Sequence, residues 1–410
     1  MKPVGHIKDA PWVLHDDLGL FIQQLYGKGV TARLVGGVVR ETLLGRFDYN
    51  CDLDIAVDVT PGEMIAICME LGIQVIPTGL VFGTVTCILG DKSYEITSLR
   101  KDIKTDGRKA VVAYTKDWIE DACRRDLTIN ALYADWDGHY YDPTGKGIDD
   151  LNHRYLRFIG NPRQRIQEDF LRIVRFFRFM GLFPHPKYDG VAYQACISLA
   201  KHLNSISQER KWSELQKIFQ SKYPLNAIES LIASKIMLEV CRINWSLNKL
   251  ERSMPWVQNY FEDIFFYILG GVNHFSIDRT NCLPVSLQKR LVDVFNAPFR
   301  SRFDLKDLYW AGRAVYKDAY IQHVIVTQDF SPEALEKCKE EITKIDACLI
   351  PKFPVSGVDL QELGFTPGPL MGAVLKDTEK WWVESDFKPD FNACLKRIQS
   401  LHLKKLKDNI

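Results

Sequence analysis

The stretch "RLVGGVVRETLLGR" (residues 33–46), followed shortly by "CDLDIAV" (51–57), leaves few folds open. Leu34 and Val35 close an apolar run, Gly36 and Gly37 follow, and Val38 to Leu44 has helical spacing that Gly45 ends. That is a strand, a glycine turn and a helix start. In "CDLDIAV" strand alternation sends Leu53, Ile55 and Val57 into a core and leaves Asp52 and Asp54 together on the other face. Adjacent anions raise each other's pKa and cost energy unless a cation lies between them. The pair is therefore either a solvated strand face or a seat for Mg²⁺, a hard cation commonly held by one or two carboxylates plus substrate phosphates. Without Cβ atoms, Gly36 and Gly37 let backbone amides approach a ligand, and a helix start suits anions. Alone the Gly-Gly pair reads as a tight turn; beside the two aspartates it reads as a triphosphate seat. It matches neither the P-loop spacing nor the dinucleotide fingerprint.

Three later stretches put polar groups where burial is expected. In "YEIT" Glu95 alternates off the core face of a strand, as a plain surface glutamate does. In "CRRDLTINAL" Arg124, Arg125, Asp126 and Asn130 interrupt an apolar segment. Polar groups entering an interior need partners, either one another in a salt-bridge cluster or a bound triphosphate and ribose. In "QEDFLRIVRFF" one helix places Asp169 and Arg172 three residues apart on one face with Glu168 alongside. The ordinary reading is an intrahelical ion pair; the alternative is a template that reads a base edge.

A chain of 410 residues is too long for one ordinary core and implies two to four domains. Net charge near +1 does not advertise nucleic-acid binding, but residues 151–180 hold seven arginines against two acids, and residues 396–407 hold five Lys or Arg and no acid. Such stripes either track a phosphate backbone or are solvated helix faces. Ten cysteines without a CxxC pair imply reduced thiols and argue against a zinc site. The first residues lack the character of a signal or transit peptide, and no run of about 18 apolar residues exists, so a cytoplasmic protein that does not contact membrane is expected.

Short strands such as "ARLVGG", "GTVTCIL" and "YEITSL" alternate with helices such as "PGEMIAICMELG" up to about residue 150. From about 160 the spacing predicts helices throughout. The first boundary is expected near 150, with softer ones near 185 and 350. Residues 97–114, polar and glycine-bearing, read as a flexible loop.

"LVGGVVRETLLGR" with "DLDIAV" resembles the first motif of the class II CCA-adding tRNA nucleotidyltransferase and bacterial poly(A) polymerase family, within the polymerase-β-like superfamily. "RRDLTINAL", "DPTGKGIDDL", "EDFLRIVRFFRF" and "SQERKWSEL" resemble its remaining motifs in the same order, over roughly residues 33–215. Glu41 stands where the family usually has Asp, with the charge kept. The resemblance implies an α+β chain: a catalytic nucleotidyltransferase head with a mixed sheet and helices (1–150), then an all-helical neck that recognises the base (151–240), a body (241–350) and a tRNA-binding tail (351–410). It implies nucleotidyl transfer from CTP and ATP to the 3′ end of tRNA, with Asp52 and Asp54 holding two Mg²⁺ ions and Glu95 as a third catalytic acid. Gly36, Gly37, Arg40, Arg125, Asp126, Asn130, Glu168, Asp169, Arg172 and Arg175 map onto nucleotide contacts. Within these, Asp126 and Asn130 select ribose over deoxyribose, Arg125 reaches phosphate, and Glu168, Asp169 and Arg172 form the base template. A carboxylate accepts from the amino group of cytosine or adenine while an arginine donates to the neighbouring ring nitrogen; uracil and guanine fail both contacts.

Members that add only CC typically lack the loop that 97–114 resembles. Poly(A) polymerases usually carry a doubly basic stretch where this chain has "IPTGLVFGTVTCIL". Both features favour full CCA addition, with a partial A-adding or CC-adding enzyme or a poly(A) polymerase as the alternatives within the family. An inert RNA-binding relative and a small-molecule nucleotidyltransferase are the rivals outside it. In "SISQERKWSEL" Glu209, Arg210 and Glu214 either brace the template helix or form surface ion pairs. Pro367, Gly368 and Pro369 mark the start of a tail helix, and Trp381 and Trp382 read as core.

Overall fold

Strand β2 (Ala32–Val35) is buried at every position and sits inside the main sheet. It pairs antiparallel with β3 (Ile55–Val57) on one side and β9 (Tyr133–Ala134) on the other. The eight strands run β1 (Gly5–His6), β10 (His139–Tyr141), β9, β2, β3, β6 (Lys92–Ser98), β5 (Thr84–Leu89), β4 (Gln74–Gly79). Among the described strands of this sheet only β3 and β6 pair in parallel, so the sheet is mixed. The computed structural model describes residues 1–48, 52–106, 109–241, 245–260, 283–297, 303–327 and 331–407. They belong to two compact units, residues 1–244 and 245–410.

Helices α1 (Asp16–Gly27), α2 (Gly37–Leu43), α3 (Pro61–Glu70), α4 (Trp118–Arg124) and α5 (Gly147–Asn152) complete the sheet-bearing part. Local chemistry sets their ends. In α3 Pro61 occupies the first turn, and Thr60 and Glu63 close a reciprocal capping box with Thr60 N–H donating to Glu63 Oε2 at 2.7 Å. A core of Val35, Ala56, Leu99, Trp118, Ala122, Ala131, Tyr133, Tyr141 and Ile159 joins β2 and β3 to α4.

Beyond residue 160 the first unit is mostly helical, with α6 (Pro162–Glu168), α7 (Leu171–Met180), α8 (Gly190–Leu199), α9 (Gln208–Phe219), α10 (Pro224–Ala233) and α11 (Ile236–Cys241). Helix α7 is two-faced. Leu171, Ile173, Val174, Phe176, Phe177, Phe179 and Met180 are buried, while Arg172, Arg175 and Arg178 share the opposite stripe at i, i+3, i+6. The second unit holds one apolar cluster around Leu308, Tyr316, Leu335 and Ile345 and another around Leu360, Val374, Trp382 and Ile398. Trp382 is core as expected, donating from its indole to the Pro389 carbonyl at 2.9 Å, and Pro369 opens the helix Pro369–Glu384. No helix of the described residues is long and apolar enough to cross a membrane.

The α+β architecture agrees with the sequence; four local expectations do not. Strand β3 starts at Ile55, not Cys51, which lies outside the described residues. The alternation survives without the full ladder: Asp52 and Asp54 are exposed and Leu53 is buried. The expected loop over 97–114 contains an antiparallel pair, β7 (Arg100–Asp106) and β8 (Lys109–Tyr114). Its polar composition suits a two-stranded arm outside the main sheet, where neither face must be apolar. A strand β12 (Lys187–Tyr188) pairs parallel with β11 (Tyr155–Leu156) inside the expected all-helical region. Finally, the helix expected across "QEDFLRIVRFF" breaks at Asp169, which has φ −154° and ψ 109°.

Candidate active site

Gly36 ends β2 in the left-handed region at φ +74°, a conformation that a side chain strains. Its N–H donates to the Leu132 carbonyl at 3.0 Å and its carbonyl accepts from Arg40 N–H at 3.0 Å, so one residue turns the strand into α2. The Val35 N–H donates to the Asp54 carbonyl at 3.0 Å, which carries the β2–β3 register back to Asp54. One step back along the parallel register Ile55↔Ile96 sets Asp54 beside Glu95. Protein packed around Asp54 raises its carboxyl above the ordinary 3.8; Glu95 and Asp52 add repulsion, and Arg125 opposes.

Three hard oxygen donors pressing on one another are the right chemistry for a divalent cation. Among the described residues they do not close into a cage of three or more ligands. Such an incomplete set fits an ion that takes its remaining oxygens from substrate phosphate and water.

The second wall comes from α4 and the segment after it. Asp121 is fully buried and accepts from Arg124 Nε at 2.8 Å, Arg125 Nη2 at 3.1 Å and Tyr133 Oη at 2.7 Å. Asp126 is saturated. Its Oδ1 accepts from Leu127 N–H at 2.8 Å and Asn130 Nδ2 at 3.0 Å, and its Oδ2 from Arg175 Nη2 at 2.6 Å and Nε at 2.8 Å. Asn130 in turn accepts from Arg40. Burial alone would raise both carboxyls. Arg125, Arg124 and the Tyr133 hydroxyl instead bring Asp121 to about 2, and Arg175 with its two hydrogen-bond donors holds Asp126 far below the carboxylate range.

A folded-state pKa below the unfolded value stabilises above the unfolded pKa and is lost as pH falls through the folded one. Asp121, 1% exposed in its side chain, shifts from 3.8 to about 2. It therefore contributes about 2 kcal/mol that disappears between those pH values, with Asp126 adding to the loss and extending it lower. Urea unfolding at pH 7, 4 and 2.5 is expected to show this drop, and Asp121→Asn to flatten it. An unchanged pH slope in the variant would contradict the assignment.

The third wall is α6, α7 and α9. Because the chain is extended at Asp169, that residue is not on one helix face with Arg172, and the expected ion pair between them does not form. Asp169 Oδ2 accepts from Arg210 Nη2 of α9 at 2.7 Å, and its Oδ1 accepts from Leu171 N–H at 3.1 Å. Arg172 pairs with Glu168, which also binds Arg165. Arg172 Nη1 donates to the Arg165 carbonyl at 2.9 Å and Nη2 to the Arg124 carbonyl at 3.2 Å. Arg165 Nη2 donates to the carbonyls of Arg124 and, at 2.6 Å, Arg125. The α7 arginines thus point at the site, not along a surface stripe. Nor is Glu214 a surface residue: it is 4% exposed and accepts from Arg178 Nη1 at 2.8 Å.

These walls enclose a cavity of about 480 Å³. It gathers Gly36, Gly37, Arg40, Asp54, Arg125, Asp126, Asn130, Asp169, Arg172 and Arg175 from the sequence-derived set. Asp52, Glu95 and Glu168 are not in its lining; the first two act on Asp54 from beside it, and Glu168 holds Arg172 from behind. The lining adds Arg124, Arg178, Phe179 and Lys217. Asp121, a hub the sequence analysis missed, was signalled by its i+3 and i+4 spacing to Arg124 and Arg125.

Residues 32–157 match the family model described as "Poly A polymerase head domain", and residues 191–241 match "Probable RNA and SrmB- binding site of polymerase A". The chain is 32% identical over 385 residues to human "CCA tRNA nucleotidyltransferase 1, mitochondrial", covering 90% of this chain and 86% of that protein. It is 28% identical to the "CCA-adding enzyme" of Streptococcus gordonii, covering 91% and 94%. Its fold is similar to the crystal structure of Bacillus stearothermophilus CCA-adding enzyme in complex with CTP, at a TM-score of 0.74 and 23% identity, over 98% of this chain and all of that one.

Proposed function

Because this chain belongs to the CCA-adding tRNA nucleotidyltransferase family, we propose that it builds CCA onto the 3′ end of tRNA from CTP and ATP without a nucleic-acid template. The observation that carries this reading is one cavity joining the glycine turn, Asp54 and the Asp169–Arg172 pair. The 3′-hydroxyl oxygen of the RNA bonds to the α-phosphorus of the nucleotide as the bond to the β-phosphate oxygen breaks and pyrophosphate leaves. Asp52 and Asp54 would hold the divalent metal, in this reading two Mg²⁺ ions, with Glu95 alongside. When bound, the metal lowers the pKa of the attacking hydroxyl and neutralises charge on the leaving oxygens.

The protein's own groups do the positioning. The Gly36–Gly37 turn and Arg40 face the triphosphate. Asp126 has its acceptor sites filled, so it acts on ribose selection by fixing Asn130 and Arg175 and not by direct contact. Asp169 and Arg172 read the base; Glu168 positions Arg172. The helices of 351–410 take the tRNA body, in a division into head (1–150), neck (151–240), body (241–350) and tail. A chain ending at residue 350 is expected to lose at least about tenfold in tRNA affinity while still binding CTP. Equal affinity would remove that role. The enzyme is read as cytoplasmic, although the human relative is named mitochondrial.

Incubation with each labelled nucleoside triphosphate and Mg²⁺, on tRNAs ending at the discriminator base and at CC, tests the reading. Use of CTP then ATP on the shorter RNA is expected. ATP use only on the CC-ended RNA would mark an A-adding enzyme, arrest after CC a CC-adding one, long adenosine tails a poly(A) polymerase, and no incorporation an inert relative.

A further inference from the structure

Lys217 lies on α9 outside the motifs that the sequence analysis singled out, yet its side chain lines the cavity with Gly36, Gly37 and Arg40. Its nearest carboxylate oxygen is Glu214 Oε1 at 3.9 Å, beyond hydrogen-bond length. Glu214 already accepts from Arg178 at 2.8 Å and lies 3.5 Å from Arg175, so one carboxylate faces three cations. Burial, with Arg175 nearby, brings even Arg178 down to about 10, and Arg40 adds to the repulsion. With Arg175 paired to Asp126 and Arg40 to Glu41, Arg178 and Lys217 are left to share Glu214, so this end of the cavity keeps one positive charge in surplus.

Position along α9 tells which part of a nucleotide would meet that charge. Arg210 bonds Asp169 at the base-reading end. Lys217 is seven residues further on, two turns and about 10 Å along the same helical stripe. In a nucleoside triphosphate the ribose separates the base from the phosphates, so a cation set back that far from the base-reading end faces the phosphate side.

We propose that Lys217 binds the triphosphate tail of the incoming nucleotide, and the pyrophosphate that leaves. The assignment rests on the nucleotidyl-transfer reading above. Half-exposed at 54%, the side chain is free to swing onto phosphate as a point charge and is not needed for packing.

Lys217→Met is expected to raise KM for both CTP and ATP about tenfold, weaken inhibition by added pyrophosphate by a similar factor, and leave KM for tRNA within about twofold. Lys217→Arg is expected to restore both nucleotide constants to within about threefold, since it keeps the charge. A rise in KM for tRNA alone would give the lysine to the RNA 3′ phosphodiester and overturn the assignment. Unchanged KM values, or a fall in kcat alone, would overturn it as well. A wild-type chain that incorporates no nucleotide would instead sink the nucleotidyl-transfer reading, while calorimetric titration of wild type and Lys217→Met with pyrophosphate still tests the lysine.

Discussion

Asp54→Asn is expected to lower nucleotide incorporation by at least about 10³-fold, roughly 4 kcal/mol of transition-state stabilisation, without destabilising the fold. Both halves follow from the same crowding. The carboxylate is held above its ordinary pKa by surrounding protein, by Glu95 and by Asp52. A group whose folded-state pKa is raised opposes folding once ionised, so at neutral pH it costs stability and the neutral amide removes that cost. Melting in metal-free buffer should show Asp54→Asn at or above the wild-type Tm. Added Mg²⁺ should raise the wild-type Tm and move the variant's less, because an ion stabilises the state that binds it. A variant that adds CTP at the wild-type rate would remove Asp54 from the chemistry.

The second large effect concerns the choice of base. Asp169 sits in an extended backbone between α6 and α7, with its Oδ2 bonded to Arg210 at 2.7 Å, while Arg172 is held by Glu168 and two backbone carbonyls. The two side chains are anchored separately, so the spacing between them is set by α4, α6, α7 and α9 together and not by one helix. Asp169→Asn keeps an acceptor for Arg210 but adds an N–H that can meet the O4 carbonyl of uracil. The ratio of kcat/KM for CTP over UTP should fall about 10- to 100-fold, as one contact worth about 1–3 kcal/mol changes sign. KM for tRNA should stay put. An unaltered CTP/UTP ratio would show that the pair does not read the base. Arg172→Ala is the harsher change, since it also leaves Glu168 with Arg165 as its remaining arginine partner.

Much of this site was legible in the chain. Alternation in "LDIAV" put Asp52 and Asp54 on one face even though the ladder starts only at Ile55, because alternation needs extended backbone and not hydrogen bonds. The glycine pair gave the turn, since few other residues take φ +74° cheaply. Less was legible where a residue's partner is remote in sequence. Asp126 meets Arg175, Asp169 meets Arg210 and Arg178 meets Glu214 across 49, 41 and 36 residues. No periodicity encodes such pairs.

Neighbours within a turn or two therefore fixed the strand–turn–helix, the paired aspartates and the arginine stripe of α7, and the order of motifs along the chain pointed to the α+β class. Only the tertiary structure decided where those charges point. It broke the helix at Asp169 and turned the arginines inward, because buried charges settle against carboxylates and carbonyls wherever the fold delivers them, and it brought the half-exposed Lys217 to the cavity.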